Sequence, residues 1–499
     1  MSTNHWTRVS TGLRFMLMMI ALSFVGVYIA VAIIRMSYPF ELEWMEGGAV
    51  EHVSRILSGL KLYVKPSLEF TPFIYNPLYF YVAALVSKAS GIGFFSLRLV
   101  SFVSSLGCFV IIYLLVKKET SNAYCAVLSS CLFAATFKIS GVWFDIARVD
   151  SLFLLLFLVG VYIIRLGQTN GFVILAAMLF SLSYFCKQPA LLMSIPLVLY
   201  FWLQSWRCGL LFTTTMLMLI GVTTLCLDWI HDGWSSYYIF YLPRRFPISE
   251  PHDFIRFWTN DLALPLAIGC GLAVFYLLFE LPGSVKRDRL FYVLTAVGML
   301  TASWVARVKL GGHGNVLFPA YAAISVLFGI GLHTALQFVE RHGGLNKVTL
   351  RSFIYICGII QFMALAYNPM LFIPSQKDKE AGKKLVQTLK RIPGDVFVPS
   401  NPHLAVMAGK NSYALAICMR DIGRGDPGGK PAIDLANQIY RAVSEHEFGT
   451  VVTNEPEQIS SFPFETYYVR QRPVFDDANV FWTVTGFKSR PSMLWVPKK

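Results

Sequence analysis

Charge is scarce in this chain of 499 residues: Asp, Glu, Lys and Arg make up only 14% of it, against 55% hydrophobic residues and a mean hydropathy of +0.55. So little charge excludes a water-soluble globule. Cysteine patterning is equally thin. Eight of the nine cysteines (Cys108, Cys125, Cys131, Cys186, Cys208, Cys226, Cys270 and Cys357) lie in or beside apolar runs, where a thiol acts as a small hydrophobe. Only Cys418 falls in the polar C-terminal part, so no disulfide framework can form there. No CxxC or HExxH spacing occurs, which leaves a closed zinc site without support. Internal repeats and low-complexity tracts are also missing, and the net charge of +14 sits mostly in short loops between apolar runs, which argues against nucleic acid as a partner.

What the chain has instead is length after length of apolar sequence. Runs near 15–34, 96–116, 122–138, 151–164, 171–185, 189–204, 209–228, 261–280, 290–306, 316–336 and 352–373 suggest about eleven membrane spans. The first imitates a signal peptide, with Arg8 and Arg14 ahead of it and Ala30 and Ala32 at its end, but it fills a bilayer and reads as an uncleaved first helix. The segment 77–89 is apolar and aromatic yet too short to cross, which fits an interfacial or re-entrant helix. Leaving it uncrossed places Lys117, Lys118, Arg165, Arg207, Lys286, Arg287, Arg289, Arg341, Lys347 and Arg351 on the side of the N-terminus, a coherent cytoplasmic face. The first outer loop is then 35–95, and everything after Pro374 lies outside as well. There the composition turns soluble: DVFVP (395–399) and TVVT (450–453) read as strands and 432–443 as a helix, so 1–374 is a transmembrane domain and 375–499 a small extracytoplasmic α/β domain.

Acids and unusual cations gather on this outer face. FELEWMEGGAVEH (40–52) sets Glu41, Glu43 and Glu46 close together, and apolar residues from Met45 to Leu60 recur at helical spacing, predicting an amphipathic helix on the outer membrane surface. Its N-terminus favours carboxylate ions, and partly desolvated acids at a membrane rim tend to be functional. FDIARVDSL brings Asp145, Arg148 and Asp150 to the mouth of the next span. Lys187, Arg244 with Arg245, and Arg307 with Lys309 in ARVKLGGHGN put positive charge where topology disfavours it, which asks for an anionic partner such as the phosphate of a membrane lipid.

The order of these pieces, acids after the first helix, then ILSGLKLY, YNPLYFYVAAL, FSLRLVSFVSSLGCFVIIYLLVKK and ARVDSLFLLL, resembles the C-type membrane glycosyltransferases over most of 10–340. It is most similar to the branch of protein O-mannosyltransferases and lipid A aminoarabinose transferases. The resemblance implies an all-α polytopic membrane domain with juxtamembrane helices. It also implies transfer of a hexose or pentose from a polyprenyl-phosphate donor to a hydroxyl of a glycan, lipid or protein outside the cytoplasmic membrane. Glu46 or Glu43 matches the first-loop catalytic acid, and Asp150 the acid of the Ala-Arg-x-Asp pattern. Asn76 and Pro77 match the proline pair before the juxtamembrane helix, and Lys309 the basic residue before the tenth span. Two departures stand out: Glu replaces Asp in the first loop, and Asn76 stands where relatives often carry a proline.

A phosphate leaving group, already ionised at neutral pH, needs cations and no acid. Lys187, Arg244, Arg245 and Lys309 are the candidates, with Arg148, His313, Asn315 and Asn76 as further substrate-binding residues. The attacking hydroxyl must lose a proton, for which Glu46 is the first choice of base and Glu43 the second, while Asp150 orients the acceptor or a cation. The resemblance implies that no cofactor is needed, with a divalent ion on Glu43 and Asp150, as oligosaccharyl relatives use, the weaker alternative. The competing reading is a lipid or solute transporter, which ought to show charges deep within spans and broken helices at mid-membrane depth. GRGDPG (423–428) spells GxGxxG, but Pro427 and the surrounding glycines predict a loop there, not a nucleotide site.

Overall fold

Long apolar runs satisfy their own backbone only as helices, and the computed structural model, described here for residues 2–167, 169–279, 286–455, 464–471 and 473–498, places a helix on each predicted span. They are α1 (Ser2–Met36), α4 (Phe94–Thr120), α5 (Ala123–Ala135), α6 (Asp150–Leu166), α7 (Asn170–Cys186), α8 (Pro189–Gln204), α9 (Trp206–Ile230), α10 (Ala267–Leu278), α11 (Lys286–Arg307), α12 (Phe318–His342) and α13 (Lys347–Ala364). Six are long and apolar enough to cross a bilayer, and α5 to α8 are shorter helices of 13 to 17 residues. The side chains of Lys286 and Arg287 lie outside the described residues. α12 forms the centre, buried over most of its length. Its small residues permit this: a Cβ on Gly331 would sit 2.1 Å from the Leu272 carbonyl oxygen.

One predicted span differs. The run 261–280 is not a single straight helix: the segments Asp253–Ala263 and Ala267–Leu278 meet at 91° across a break containing Pro265. Gln361 of α13 satisfies the freed backbone, its Nε2 donating to the Pro265 carbonyl at 2.8 Å and its Oε1 accepting from the Gly269 amide at 3.0 Å.

Two short helices lie in the first loop. α3 (Leu78–Ser90) occupies the predicted non-crossing segment, and α2 (Glu46–Leu57) packs against α3 and α4. The first half of α2 is covered by protein. Its first five residues, Glu46 to Val50, are all buried, and the bare backbones of Gly47 and Gly48 let His403 and Leu415 of the C-terminal part close over them.

After α13 the chain forms α14 (Gln376–Arg391), opened by a Ser375–Asp378 capping box, then α15 (His403–Met407), α16 (Ala416–Gly425) and α17 (Lys430–Ser444) around a four-stranded sheet. The strands are β1 (Asp395–Phe397), β2 (Phe448–Glu455), β3 (Tyr468–Arg470) and β4 (Arg490–Pro497), in the order β1-β2-β4-β3, with only the β1–β2 pair parallel. GRGDPG is only partly the predicted loop: α16 runs through Gly423 to Gly425, and the turn comes after it, with Gly428 at a φ of +81°. Asp426 in that turn accepts from the hydroxyls of Tyr237 and Tyr241, joining this domain to the loop after α9.

Candidate functional site

The site forms where the loop between α1 and α4 meets the loop between α5 and α6. Arg35, at the end of α1, fixes the second loop: its Nε donates to Asp145 at 2.6 Å and its Nη2 to the Val142 carbonyl at 2.8 Å. Val142 has a φ of +63°, a conformation that β-branched residues rarely adopt, and this clamp holds it there.

Glu46 and Glu43 then meet opposite fates. Glu46 is fully enclosed and accepts four hydrogen bonds, from Arg98 Nε at 2.9 Å, Arg98 Nη2 at 2.6 Å, and the amides of Ala147 at 2.8 Å and Leu42 at 2.7 Å. Burial alone raises a carboxyl pKa, but Arg98 and the two amides outweigh it here and hold Glu46 below its ordinary value. Every acceptor position is used, so the carboxylate has none left for a reacting proton. Arg98, on α4, also donates to the carbonyls of Tyr38 and Phe40, so this pair staples the first loop to the helix bundle.

Glu43 is just as buried, at 1% exposure, yet it is half used. Its Oε2 accepts from the Met45 amide at 3.0 Å and Arg148 Nη1 at 3.3 Å, while its Oε1 has no partner. Burial raises this carboxyl, Arg148 offsets only part of the rise, and its pKa is pushed up to about 6. Of the two acids, Glu43 and not Glu46 therefore retains a carboxylate oxygen without a partner.

Arg148 links Glu43 to the next acid. Its Nη2 donates to the Tyr75 hydroxyl at 2.9 Å and its Nε to Asp150 at 3.3 Å, and its guanidinium lies 4.9 Å from the centre of the Trp143 ring. Asp150, the first residue of α6, does not cap that helix with its side chain. Its Oδ1 accepts from Lys187 Nζ and, at 3.0 Å, from Asn315 Nδ2. Burial would raise its pKa, but Lys187 and Arg148 together lower it. Glu43, Arg148, Asp150, Lys187 and Asn315 thus form one connected chain of side chains drawn from four parts of the sequence. His313 stands beside it, edge-on to Trp143 with ring centres 6.3 Å apart.

Other predicted residues are not in that chain. Asn76 is buried and donates to the Tyr184 carbonyl, leaving its Oδ1 unpaired. Glu41 turns toward the C-terminal domain and accepts from Asn401. Lys309 donates to the Pro243 carbonyl at 2.9 Å, which sets it beside Arg244 and Arg245 as a separate basic rim. Arg245 lies 3.7 Å from Asp426, and Arg244 is exposed. No group of three or more His, Cys, Asp or Glu suited to a metal ion occurs among the described residues.

Sequence reasoning missed Arg98, Tyr75 and Trp143. Arg98 had a usable signal, a lone cation near the start of an apolar run, where ionisable residues seldom sit without a partner. Tyr75 and Trp143 had none, since aromatics are plentiful throughout.

Residues 71–230, a stretch that takes in Asn76, Arg148, Asp150 and Lys187, match the family model described as dolichyl-phosphate-mannose-protein mannosyltransferase. No curated protein matches the chain in sequence. Among solved structures, the chain is similar to ArnT from Cupriavidus metallidurans in the apo state, with a TM-score of 0.62 at 12% identity over 95% of this chain and 97% of that one. The same protein bound to undecaprenyl phosphate superposes with a TM-score of 0.61, at the same identity and coverage. The likeness is one of fold, that of the C-type glycosyltransferases, and it agrees with the six described helices of this chain that are long and apolar enough to cross a membrane.

Proposed function

We propose that this chain transfers a hexose or pentose from a polyprenyl-phosphate donor to a hydroxyl of a glycan, lipid or protein, at the outer face of the cytoplasmic membrane. The observation that carries the proposal is the half-used carboxylate of Glu43, beside a network that ends in Lys187. A base works best with a pKa near the operating pH, and about 6 leaves Glu43 largely ionised at neutrality yet still basic enough to take a hydroxyl proton. As the acceptor oxygen attacks the anomeric carbon, the bond from that carbon to the phosphate oxygen breaks. The carrier departs as a phosphate monoester, and the proton passes to Glu43 Oε1.

Lys187 is the leading candidate to meet the departing phosphate. An ammonium has three N–H donors, and Asp150 occupies one of them. Asp150 and Asn315 would set its direction, Arg148 would add charge, and the rim of Arg244, Arg245 and Lys309 would guide the anionic head group inward. The undecaprenyl phosphate carried by the structurally similar ArnT, and the lipid-linked donor in the name of the matching family, support a donor of this class. Glu43, Glu46 and Asp150 are each already matched to a fixed cation, which favours a metal-independent reaction. In the proposed orientation the N-terminus is cytoplasmic and the C-terminal domain outside.

Two measurements test this. Mass spectrometry of lipid co-purified with the protein should find a polyprenyl phosphate, and membranes containing the protein should move radiolabelled sugar from an undecaprenyl-phosphate carrier into an acid-stable product. Sugar movement across proteoliposomes with no transfer would support a transporter instead.

A further inference from the structure

Glu43 is covered by a residue from the far end of the chain. The turn before β4, Thr483 to Ser489, reaches back over the first loop, and the amides of Val484 and Thr485 both donate to the Leu42 carbonyl at 3.2 Å. Thr485 Oγ1 donates to the Gly141 carbonyl at 2.6 Å, next to the strained Val142, so one turn ties both site loops together. At its tip stands Gly486, exposed on its outer side and with a φ of +70°. A Cβ there would lie 2.9 Å from Glu43 Cγ, 3.4 Å from Glu43 Oε1 and 3.1 Å from Trp143 Cζ2. The two side chains beneath this glycine each carry a buried polar atom without a partner, Glu43 Oε1 and Trp143 Nε1.

A transferase that activates a hydroxyl with a carboxylate faces competition from water, the smallest and most abundant hydroxyl donor. With water at Glu43, the same attack on the anomeric carbon releases free sugar and carrier phosphate, and the carboxylate takes water's proton. Excluding bulk water from the base is what separates transfer from hydrolysis. Resting on the assignment of Glu43 as base, we infer that Thr485 and Gly486 of the C-terminal domain are positioning residues that seal this carboxylate from bulk water and so make the enzyme a transferase rather than a hydrolase. Glycine suits the tip because any side chain would press on the base and on Trp143. The role also explains why the C-terminal domain is bonded to the two catalytic loops and not only to the bundle.

The test loosens the turn in two ways. T485V removes only the hydroxyl that holds Gly141, and G486A forces a methyl group against Glu43 and Trp143. In an E43C background, N-ethylmaleimide labelling of residue 43, read by peptide mass spectrometry, should rise at least tenfold when either change is added. This needs no donor, and T485V decides it if G486A fails to fold. With undecaprenyl-phosphate-linked mannose, glucose and arabinose as donors, the ratio of free sugar to transferred sugar should rise severalfold in T485V and G486A variants that keep Glu43, an outcome that general destabilisation does not produce. Unchanged labelling of Cys at 43, or an unchanged product ratio in an active variant, overturns the inference. E43Q separates the two claims: if it still transfers sugar, the base assignment fails, whereas an inactive E43Q with unaltered labelling defeats the seal alone.

Discussion

Arg98 and Glu46 meet in parallel, Nη2 2.6 Å from Oε2 and Nε 2.9 Å from Oε1, with both side chains out of contact with water. A pair so fully bonded works as a fastener. Removing one partner strands the other charge, which costs about 3–5 kcal/mol at a buried site. R98L and E46A are expected to lower the melting temperature sharply or to abolish monodisperse protein, as measured by thermal unfolding in detergent. Loss of transfer in a well-folded E46A would instead return Glu46 to the chemistry.

Glu43 predicts the pH dependence. Its pKa of about 6 lies above the ordinary glutamate value because burial outweighs Arg148. As the proposed base Glu43 acts only when ionised, so kcat/KM should fall about tenfold per pH unit below about 6. The folded pKa is raised, so the protonated form is the one that folding favours: stability from this group is present at low pH and lost as pH rises through about 6. At pH 7.5 the neutral E43Q should therefore unfold no more easily than the native protein. A melting temperature well below that of the native protein would show that Glu43 is needed for the fold.

Lys187 and Asp150 should separate in kinetics. K187Q leaves Asp150 with Arg148 and Asn315 as partners, so the fold should survive while turnover falls by about 10²–10³, the usual cost of losing a donor aimed at developing negative charge. K187R should recover part of the rate. D150N leaves Lys187 buried without its counter-charge and is expected to reduce stability as well as rate. Equal activity of K187Q and native protein would remove Lys187 from the donor site.

Chelation tests the metal question. Each acid of the site is paired with a fixed cation, so dialysis against EDTA is expected to leave transfer within about twofold of its starting rate. A large loss restored by Mg²⁺ or Mn²⁺ would revive Glu43 and Asp150 as ligands.

The helices were legible because membrane length and apolarity are local properties, and even the short α3 is marked by an apolar, aromatic run. The break at Pro265 was harder to see, since the apolar run continues through it. In the C-terminal domain β1, β2 and α17 were readable, whereas β4, with Pro491 and Pro497 at its ends, has no alternation to betray it. Both acids stand out in the sequence, but nothing local to the loop distinguishes their surroundings. Glu43 and Glu46 share one loop and one residue type, and what separates them is Arg98 and Arg148, which come from other elements of the chain. Gly486 carried no local signal, for its meaning depends on a contact with the opposite end of the protein.

Sugar transfer from an undecaprenyl-phosphate donor by E43Q, compared with native protein at equal amounts and with equal melting behaviour, is the most direct test of Glu43 as the general base. Loss of at least about 10²-fold in rate, with the carrier lipid still bound, is the predicted result. Transfer by E43Q at the native rate would contradict it.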